Sequence, residues 1–455
     1  MSDQPAQPAP AAAAERAPAI PVRRREIFGW AMYDFANSSY TTVVISLLYS
    51  GFFTAHIVPA GSELRDTYWS IAMVGSTLLA IALSPLVGAI CDFGGHKKRH
   101  LATATVACAL STMALYVVDP GEVWLAIGLL TLSNCAFMIG EAFCGSFLPD
   151  LATKKNMAVI SGLGWGLGYF GGLASLLVVQ AAITAAPESD LPAFVAQNQR
   201  AMVLIGLFYA FAALPPFLLV RERSRPAPGF ERAGLGQLLR AGLAELRGAW
   251  ALTRHYPILF RFFLAFMVYM AGLEVVMKFI GIYATGDLKM ATGDLIALFL
   301  ILQISAAAGA LGFGFLETRL GAKKTVLLTI LWWIGGILGI LFLHQLAALF
   351  GVDPITVFFV ISVIAGAGIG SIQSSSRTVV GLLAPADRSA QIFGFWGMFN
   401  RLAVILAMTF GPIADGLGSR RLALLLVIAF FAIGGLMLLR VPLDHAIEGN
   451  RRESA

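Results

Sequence analysis

Charge is scarce in this 455-residue chain: Asp, Glu, Lys and Arg together make up 13% of it, against roughly a quarter in a soluble domain. With 58% of the residues apolar, that shortage excludes a water-soluble globule and points to a polytopic membrane protein. Histidine is scarce as well. The six present are not paired at ligand spacing in a polar setting, and neither a phosphate-binding loop nor a nucleophile elbow occurs, so the chain is not expected to be an enzyme. The four cysteines, Cys91, Cys108, Cys135 and Cys144, lie in or at apolar runs without C-x-x-C spacing. They read as small packing residues, and no metal and no cofactor is expected. The net charge of +6 is dispersed among loops, which argues against nucleic acid as a partner.

What the chain has in quantity is apolar runs of bilayer length, and these predict an all-α fold. They fall at approximately 27–53, 68–91, 100–118, 122–147, 157–184 and 201–220, then at 257–283, 294–316, 325–346, 355–383, 390–414 and 421–440. Twelve transmembrane helices in two bundles of six are expected. The predicted divisions are a disordered Pro/Ala-rich tail (1–25), a first bundle (26–220), a linker (221–255), a second bundle (256–441) and a tail (442–455). In the linker, Leu235, Leu238, Leu239, Leu243, Leu246 and Trp250 are spaced as on an amphipathic helix. Lys and Arg concentrate on the side of the N-terminus, with Arg65, Arg200, Lys289, Arg420 and Arg421 opposite. Both termini are therefore expected in the cytoplasm, with Arg420-Arg421 a local breach of the rule.

Two polar hairpins punctuate the apolar runs. The first is Gly88-Ala-Ile-Cys-Asp92-Phe-Gly-Gly95-His-Lys97-Lys98-Arg99, and its frame returns half a chain later as Gly314-Phe-Leu-Glu-Thr318-Arg319-Leu-Gly321-Ala-Lys323-Lys324. Glycines allow the reversal, and the basic cluster stays in water. The spacing resembles the loop between helices two and three of the major facilitator superfamily, with Phe93 where a basic residue is usual. That resemblance implies gating hairpins at Gly88, Asp92, Gly95 and Lys97 and at Gly314, Arg319, Gly321 and Lys323. Glu141 lies eight residues before Pro149 and Arg377 eight before Pro385, so opposite charges occupy corresponding places in the two halves. Such repeats suit alternating access around a shared ligand.

Charge inside a bilayer costs roughly 2.5 kcal/mol or more per group, which makes each instance a candidate site. Asp34 and Asn37 share one face of the first span; the carboxylate either titrates or orients a solute, or serves as a structural charge near the helix start. Asn134 and Glu141 share a face of the fourth, with Glu141 placed near the span's centre as a proton carrier or as half of a structural ion pair. Glu274 and Lys278 read as a local pair that a ligand or proton opens. Gln373 and Arg377 share a face of the tenth span, where Arg377 either binds a carboxylate or fastens helix ends. Asn400 stands beside Arg401 among Phe393, Trp396 and Phe399, as lining or as packing.

Three blocks resemble something narrower than the superfamily. Tyr33-Asp34-Phe35-Ala36-Asn37-Ser38, the run Ser161-Gly-Leu-Gly164-Trp165-Gly-Leu-Gly168-Tyr169-Phe-Gly171-Gly172, and Gln373-Ser-Ser-Ser376-Arg377 with Pro385 and Phe393-Gly394-Phe395 look like those of the vacuole-effluxer-like branch, which includes fungal vacuolar amino-acid effluxers and bacterial permeases. The glycine run lies within a span with no strand before it, so it reads as helix packing and not as a nucleotide loop. Membership implies secondary transport, by analogy export of an amino acid or similar zwitterion or anion, with protons as a possible coupling ion. A monomer in a bacterial inner membrane is the expected setting. Two alternatives stand beside it: a non-transporting receptor or assembly factor on a facilitator fold, and a drug or lipid exporter with an apolar cavity.

Overall fold

The computed structural model describes residues 22–90, 96–151, 157–182, 190–223, 229–230, 234, 236–244, 256–383 and 389–443. Among them run twelve long helices: α1 (Arg24–Ile57), α2 (Arg65–Ala89), α3 (Lys97–Ala114), α4 (Val123–Gly145), α5 (Met157–Ala182), α6 (Leu191–Ala212, carried on by Leu214–Leu219), α7 (Pro257–Gly286), α8 (Thr292–Leu320), α9 (Ala322–Leu341), α10 (Pro354–Leu383), α11 (Ser389–Ala407, carried on by Phe410–Leu417) and α12 (Arg420–Leu439). Eleven are long and apolar enough to cross a membrane, and α5 adds the shorter apolar stretch Gly166–Ala181.

Which helices touch discloses a twofold plan. In the first set of six, α1 packs on α5 and α6, α4 on α2 and α3, and α3 on α6. In the second, α7 packs on α11 and α12, α10 on α8 and α9, and α9 on α12. Adding six to each number turns the first set of pairs into the second. The sets meet through α1 on α7, α5 on α8 and α2 on α11, and the same operation maps this trio onto itself. The fold is therefore two pseudo-symmetric six-helix bundles.

The face at which α1, α3 and α9 begin, with Arg24, Lys97 and Lys323, is called the basic face and the opposite one the far face. At the basic face the two hairpins do equivalent work. Lys98 Nζ donates to the Val220 carbonyl (2.6 Å) beyond the end of α6, and Lys323 Nζ to the Val441 carbonyl (2.7 Å) beyond the end of α12. Each lysine caps the unpaired carbonyls, and meets the negative dipole end, of the sixth helix of its bundle. Gly321, between α8 and α9, has φ +81°, a reversal that glycine makes without strain. Asp92 and Gly95 of the first hairpin lie outside the described residues.

Glycine also sets how closely helices cross. A Cβ on Gly171 of α5 would sit 2.0 Å from the Phe35 carbonyl of α1, and one on Gly309 of α8 would sit 2.0 Å from the Ala367 carbonyl of α10. These are small-residue crossings of the kind that drives association in lipid. Of the linker, residues 236–244 are helical. Leu238 packs on the core, whereas Leu239 and Leu243 are exposed; Leu235, Leu246 and Trp250 lie outside the described residues.

Candidate functional site

The charged groups singled out in the sequence converge between the bundles. Asp34 on α1 lies in the field of Glu141 on α4 and of Arg377 on α10. Glu141 in turn feels Arg401 of α11, Glu274 and Lys278 of α7, and Arg377. Glu274 and Lys278 form an ion pair one turn apart. Glu141 is exposed although surrounded by the charges of three helices of the opposite bundle, and Asp34, Glu274, Lys278, Arg377 and Arg401 are all half-buried.

Local sequence explains how these groups are held. Asp34 rests against α5 because Gly164 has no side chain: a Cβ there would meet its Oδ2 at 2.3 Å. Trp30, one turn earlier, donates Nε1 to the Cys144 carbonyl (2.8 Å) at the end of α4, close to Glu141. The Arg377 guanidinium lies over the Trp396 ring, 5.5 Å from its centroid, which couples α10 to α11 by a cation–π contact. Trp396 packs on Phe266, and Phe399 stacks on Phe263; these rings are packing.

Two placements differ from the sequence reading. Glu141 is not central in its helix, since α4 ends at Gly145 only four residues on; Arg377 is likewise six residues from the end of α10. The cluster therefore sits on the basic-face side of the molecule's middle. Asp34, by contrast, lies deeper than its apolar run suggests, because α1 starts at Arg24. Its first turn is secured by Glu26, buried and paired with Arg223 (2.7 Å), which lets the helix extend into a basic segment that hydropathy alone assigns to the tail.

Asn37 and Asn134 are buried inside the first bundle. Asn37 accepts a hydrogen bond from Tyr209 (3.3 Å), which also bonds Tyr33 (3.1 Å). Asn134 donates to Ser76 (2.7 Å). Gln373 and Asn400 are half-buried. Of the second hairpin, Arg319 lies over Phe315, 4.6 Å from the ring centroid, and the neighbouring Glu317 accepts from Ser375 (2.5 Å) on α10.

Sequence reasoning passed over two features. Arg401 was seen only as a neighbour of Asn400, yet it is the foremost charge acting on Glu141. A latch at the far face was missed entirely. Arg420 donates from Nε and Nη2 to both oxygens of buried Asp66 (2.6 and 2.9 Å) and from Nη1 to Asp287 (2.7 Å). Asp415, at the end of α11, accepts from the Thr67 amide and hydroxyl (2.7 and 2.6 Å). Both sets tie α2 to the second bundle. Close contacts reinforce them, since a Cβ on Gly411 would meet the Asp66 carbonyl at 2.3 Å, and one on Gly281 the Ser46 carbonyl at 2.4 Å. The sequence held one trace of the latch, the Arg420-Arg421 breach of the charge bias.

Known proteins agree with this architecture. A transporter of Bacillus subtilis described as an uncharacterized MFS-type transporter, YxiO, is 25% identical over 437 residues, spanning 93% of this chain and 96% of its own. Autophagy-related protein 22 of Kluyveromyces lactis is 22% identical over 409 residues, 84% of this chain and 79% of that protein. Among solved structures, a point mutant of the nucleoside transporter NupG superposes with a TM-score of 0.67 at 15% identity, over 92% of this chain and all of that one. A bacterial homologue of the lysosomal transporter Spinster, inward-facing and unoccupied, gives 0.64 at 13% identity, over 94% and 97%. At such identities these structures show the fold alone, which is that of the major facilitator superfamily. The family described as "Vacuole effluxer Atg22 like" matches residues 22–450, and this chain belongs to it.

Proposed function

We propose that this transporter of the facilitator type is a proton-coupled exporter of a small zwitterionic or anionic solute, an amino acid or a close analogue. It works by alternating access, as a monomer in a bacterial plasma membrane, with both termini and the basic face in the cytoplasm. The charge bias of the loops supports that orientation. The observation that carries the reading is the cluster between the bundles: Asp34 and Glu141 from one half against Arg377, Arg401 and the Glu274–Lys278 pair from the other.

In this arrangement a fixed guanidinium receives the solute's carboxylate, and a carboxylate across the cleft receives either its ammonium group or a proton. With the far face latched, the cleft admits solute from the cytoplasm. A proton on Glu141 removes its attraction for Arg377 and Arg401 and so alters the balance between closed and open clefts. So many charged groups weigh against a drug or lipid exporter, whose cavity should be apolar.

In proteoliposomes carrying a pH gradient, the wild type should concentrate a member of an amino-acid panel. Glu141→Gln should lose gradient-driven accumulation and keep solute counterflow. A Glu141→Gln protein that still concentrates the solute sinks the assignment of the proton to this residue.

A further inference from the structure

Glu141 and Arg377 stand at matching points of the two bundles, and so do the residues that hold them. The same step of 236 residues takes Glu141 to Arg377, the residue before it, Gly140, to Ser376, and Tyr33 of α1 to Tyr269 of α7. Both tyrosines are 0% exposed. Each sends its hydroxyl to the residue that precedes the charge on the fourth helix of its own bundle.

In the first bundle that seat is a glycine. A Cβ on Gly140 would fall 2.4 Å from the Tyr33 hydroxyl but 3.5 Å from the ring carbon that bears it, so the oxygen alone occupies the place of a side chain. It cannot retreat, because it is hydrogen-bonded to the hydroxyls of Thr105 on α3 (3.0 Å) and Tyr209 on α6 (3.1 Å), and the Tyr209 ring meets Tyr33 edge-on with centroids 6.4 Å apart. In the second bundle the seat is a serine, and the Tyr269 and Ser376 hydroxyls bond directly (2.7 Å). There it is the backbone that holds the tyrosine, since a Cβ on Gly434 of α12 would meet the Tyr269 amide nitrogen and Cβ at 2.6 Å.

One tyrosine braces by contact and the other ties by a hydrogen bond, yet each fixes backbone one residue, about 3.8 Å, from a charged side chain. Phenylalanine would fill either site without a hydroxyl to satisfy, so a hydroxyl at both asks for a reason beyond packing. A third tyrosine supplies the contrast. Tyr40, which opens the π-helical stretch Tyr40–Leu47 of α1, bonds Ser133 of α4 (2.8 Å) and stacks on Phe137; Ser133 is eight residues before Glu141.

We propose that Tyr33 and Tyr269 are positioning residues, a pair of struts whose hydroxyls set where Glu141 and Arg377 stand and so fix the spacing of opposite charges where the bundles meet. Their bearing on transport rests on the reading that these two charges handle the proton and the solute.

The placement of Glu141 can be followed without a cargo, in the full chain in lipid nanodiscs. Glu141→Cys puts a thiol at this exposed position. Its rates with an anionic and a cationic methanethiosulfonate, each normalised to the rate with 2-mercaptoethanol, report the charge around it, and unsubstituted protein supplies the background from the native cysteines. Arg377 and Arg401 should make the anionic reagent about tenfold the faster. Adding Gly140→Ala should cut that preference to about threefold, because the new methyl and the held hydroxyl cannot share one space and α4 must shift. Adding Tyr33→Phe as well removes the hydroxyl and should return the preference to its starting value. Should Gly140→Ala fail to fold, recovery of a folded, normally labelled protein by Tyr33→Phe carries the same meaning. At the other strut, Tyr269→Phe and Ser376→Ala should each cut the preference to about threefold, and the two together no further, since both break one bond. Tyr40→Phe should change nothing. A preference that Tyr33→Phe does not restore, effects of Tyr269→Phe and Ser376→Ala that add, an equal loss in Tyr40→Phe, or a thiol that reacts with neither reagent would each overturn the struts. If labelling follows the expected pattern while Gly140→Ala, with Glu141 intact, accumulates solute as the wild type does, the struts stand and the assignment of the proton to Glu141 falls.

Discussion

The two bundles are built on one plan and charged in opposite senses where they face each other. From the first come carboxylates, Asp34 and Glu141; from the second come Arg377 and Arg401, with the self-neutralised Glu274–Lys278 pair between. α4 and α10 are equivalent helices by their packing, and Glu141 and Arg377 stand at matching positions on them, each eight residues before a proline. A pseudo-symmetric backbone thus carries an antisymmetric charge pattern. Approach of the halves is favourable when both signs are present and the cleft is empty, and anything that neutralises one sign weakens that attraction.

Reversing one sign should break this comparison most severely. Glu141→Arg places a third cation beside Arg377 and Arg401, and transport in proteoliposomes should fall about 100-fold, because like charges then face each other where the bundles meet. Combining it with Arg377→Glu should recover part of that loss, and not all, because Arg401 still faces the new arginine. A single variant with more than half of wild-type transport, or a double variant no better than the single, would show that opposed charge is not what couples the bundles.

The next effect concerns the two ends of the molecule. The far face is held by Arg420 between Asp66 and Asp287 and by Asp415 against Thr67, whereas at the basic face Lys98 and Lys323 each serve their own bundle. Arg420→Gln leaves the buried Asp66 carboxylate without its bidentate partner and should favour opening of the far face. A cysteine placed at Ser70, beside Gly411, should then react with an impermeant thiol reagent about tenfold faster, equivalent to a population shift of about 1.4 kcal/mol. Unchanged labelling would mean that the latch does not govern access.

How much of this was legible beforehand follows from where water is. The twelve helices could be read because lipid demands apolar runs, and Asp34, Glu141 and Arg377 because charge is conspicuous within them. The latch was not, since Asp66, Asp287, Asp415 and Arg420 lie at helix ends, where charge is ordinary and partners are more than a hundred residues apart in sequence. Helix faces were only half informative. Asn37 shares a face with Asp34, yet a turn of spacing does not say whether a face looks into a cavity or, as here, onto Tyr209. The π-helical turn of α1 did leave a trace, in the run Thr-Thr-Val-Val-Ile, which hydropathy treats as an ordinary span.

Smallest in effect, and most specific, is the distinction between glycines that hold a bundle together and glycines at the joint between bundles. Gly171 and Gly309 let α1 cross α5 and α8 cross α10, each with backbone so near that an added Cβ has no room to relax. Alanine at either should destabilise its bundle by about 1–3 kcal/mol, lowering the thermal midpoint without changing the labelling of a cysteine at Ser70. Gly411 packs α11 on α2 across the joint, so Gly411→Ala should speed that labelling. Gly128 and Gly312 have open space where a Cβ would stand, and alanine there should be neutral or slightly stabilising. If Gly171→Ala also opened the far face, the bundles would not be moving as rigid bodies, since a crossing wholly inside one of them would be setting the contact between the two.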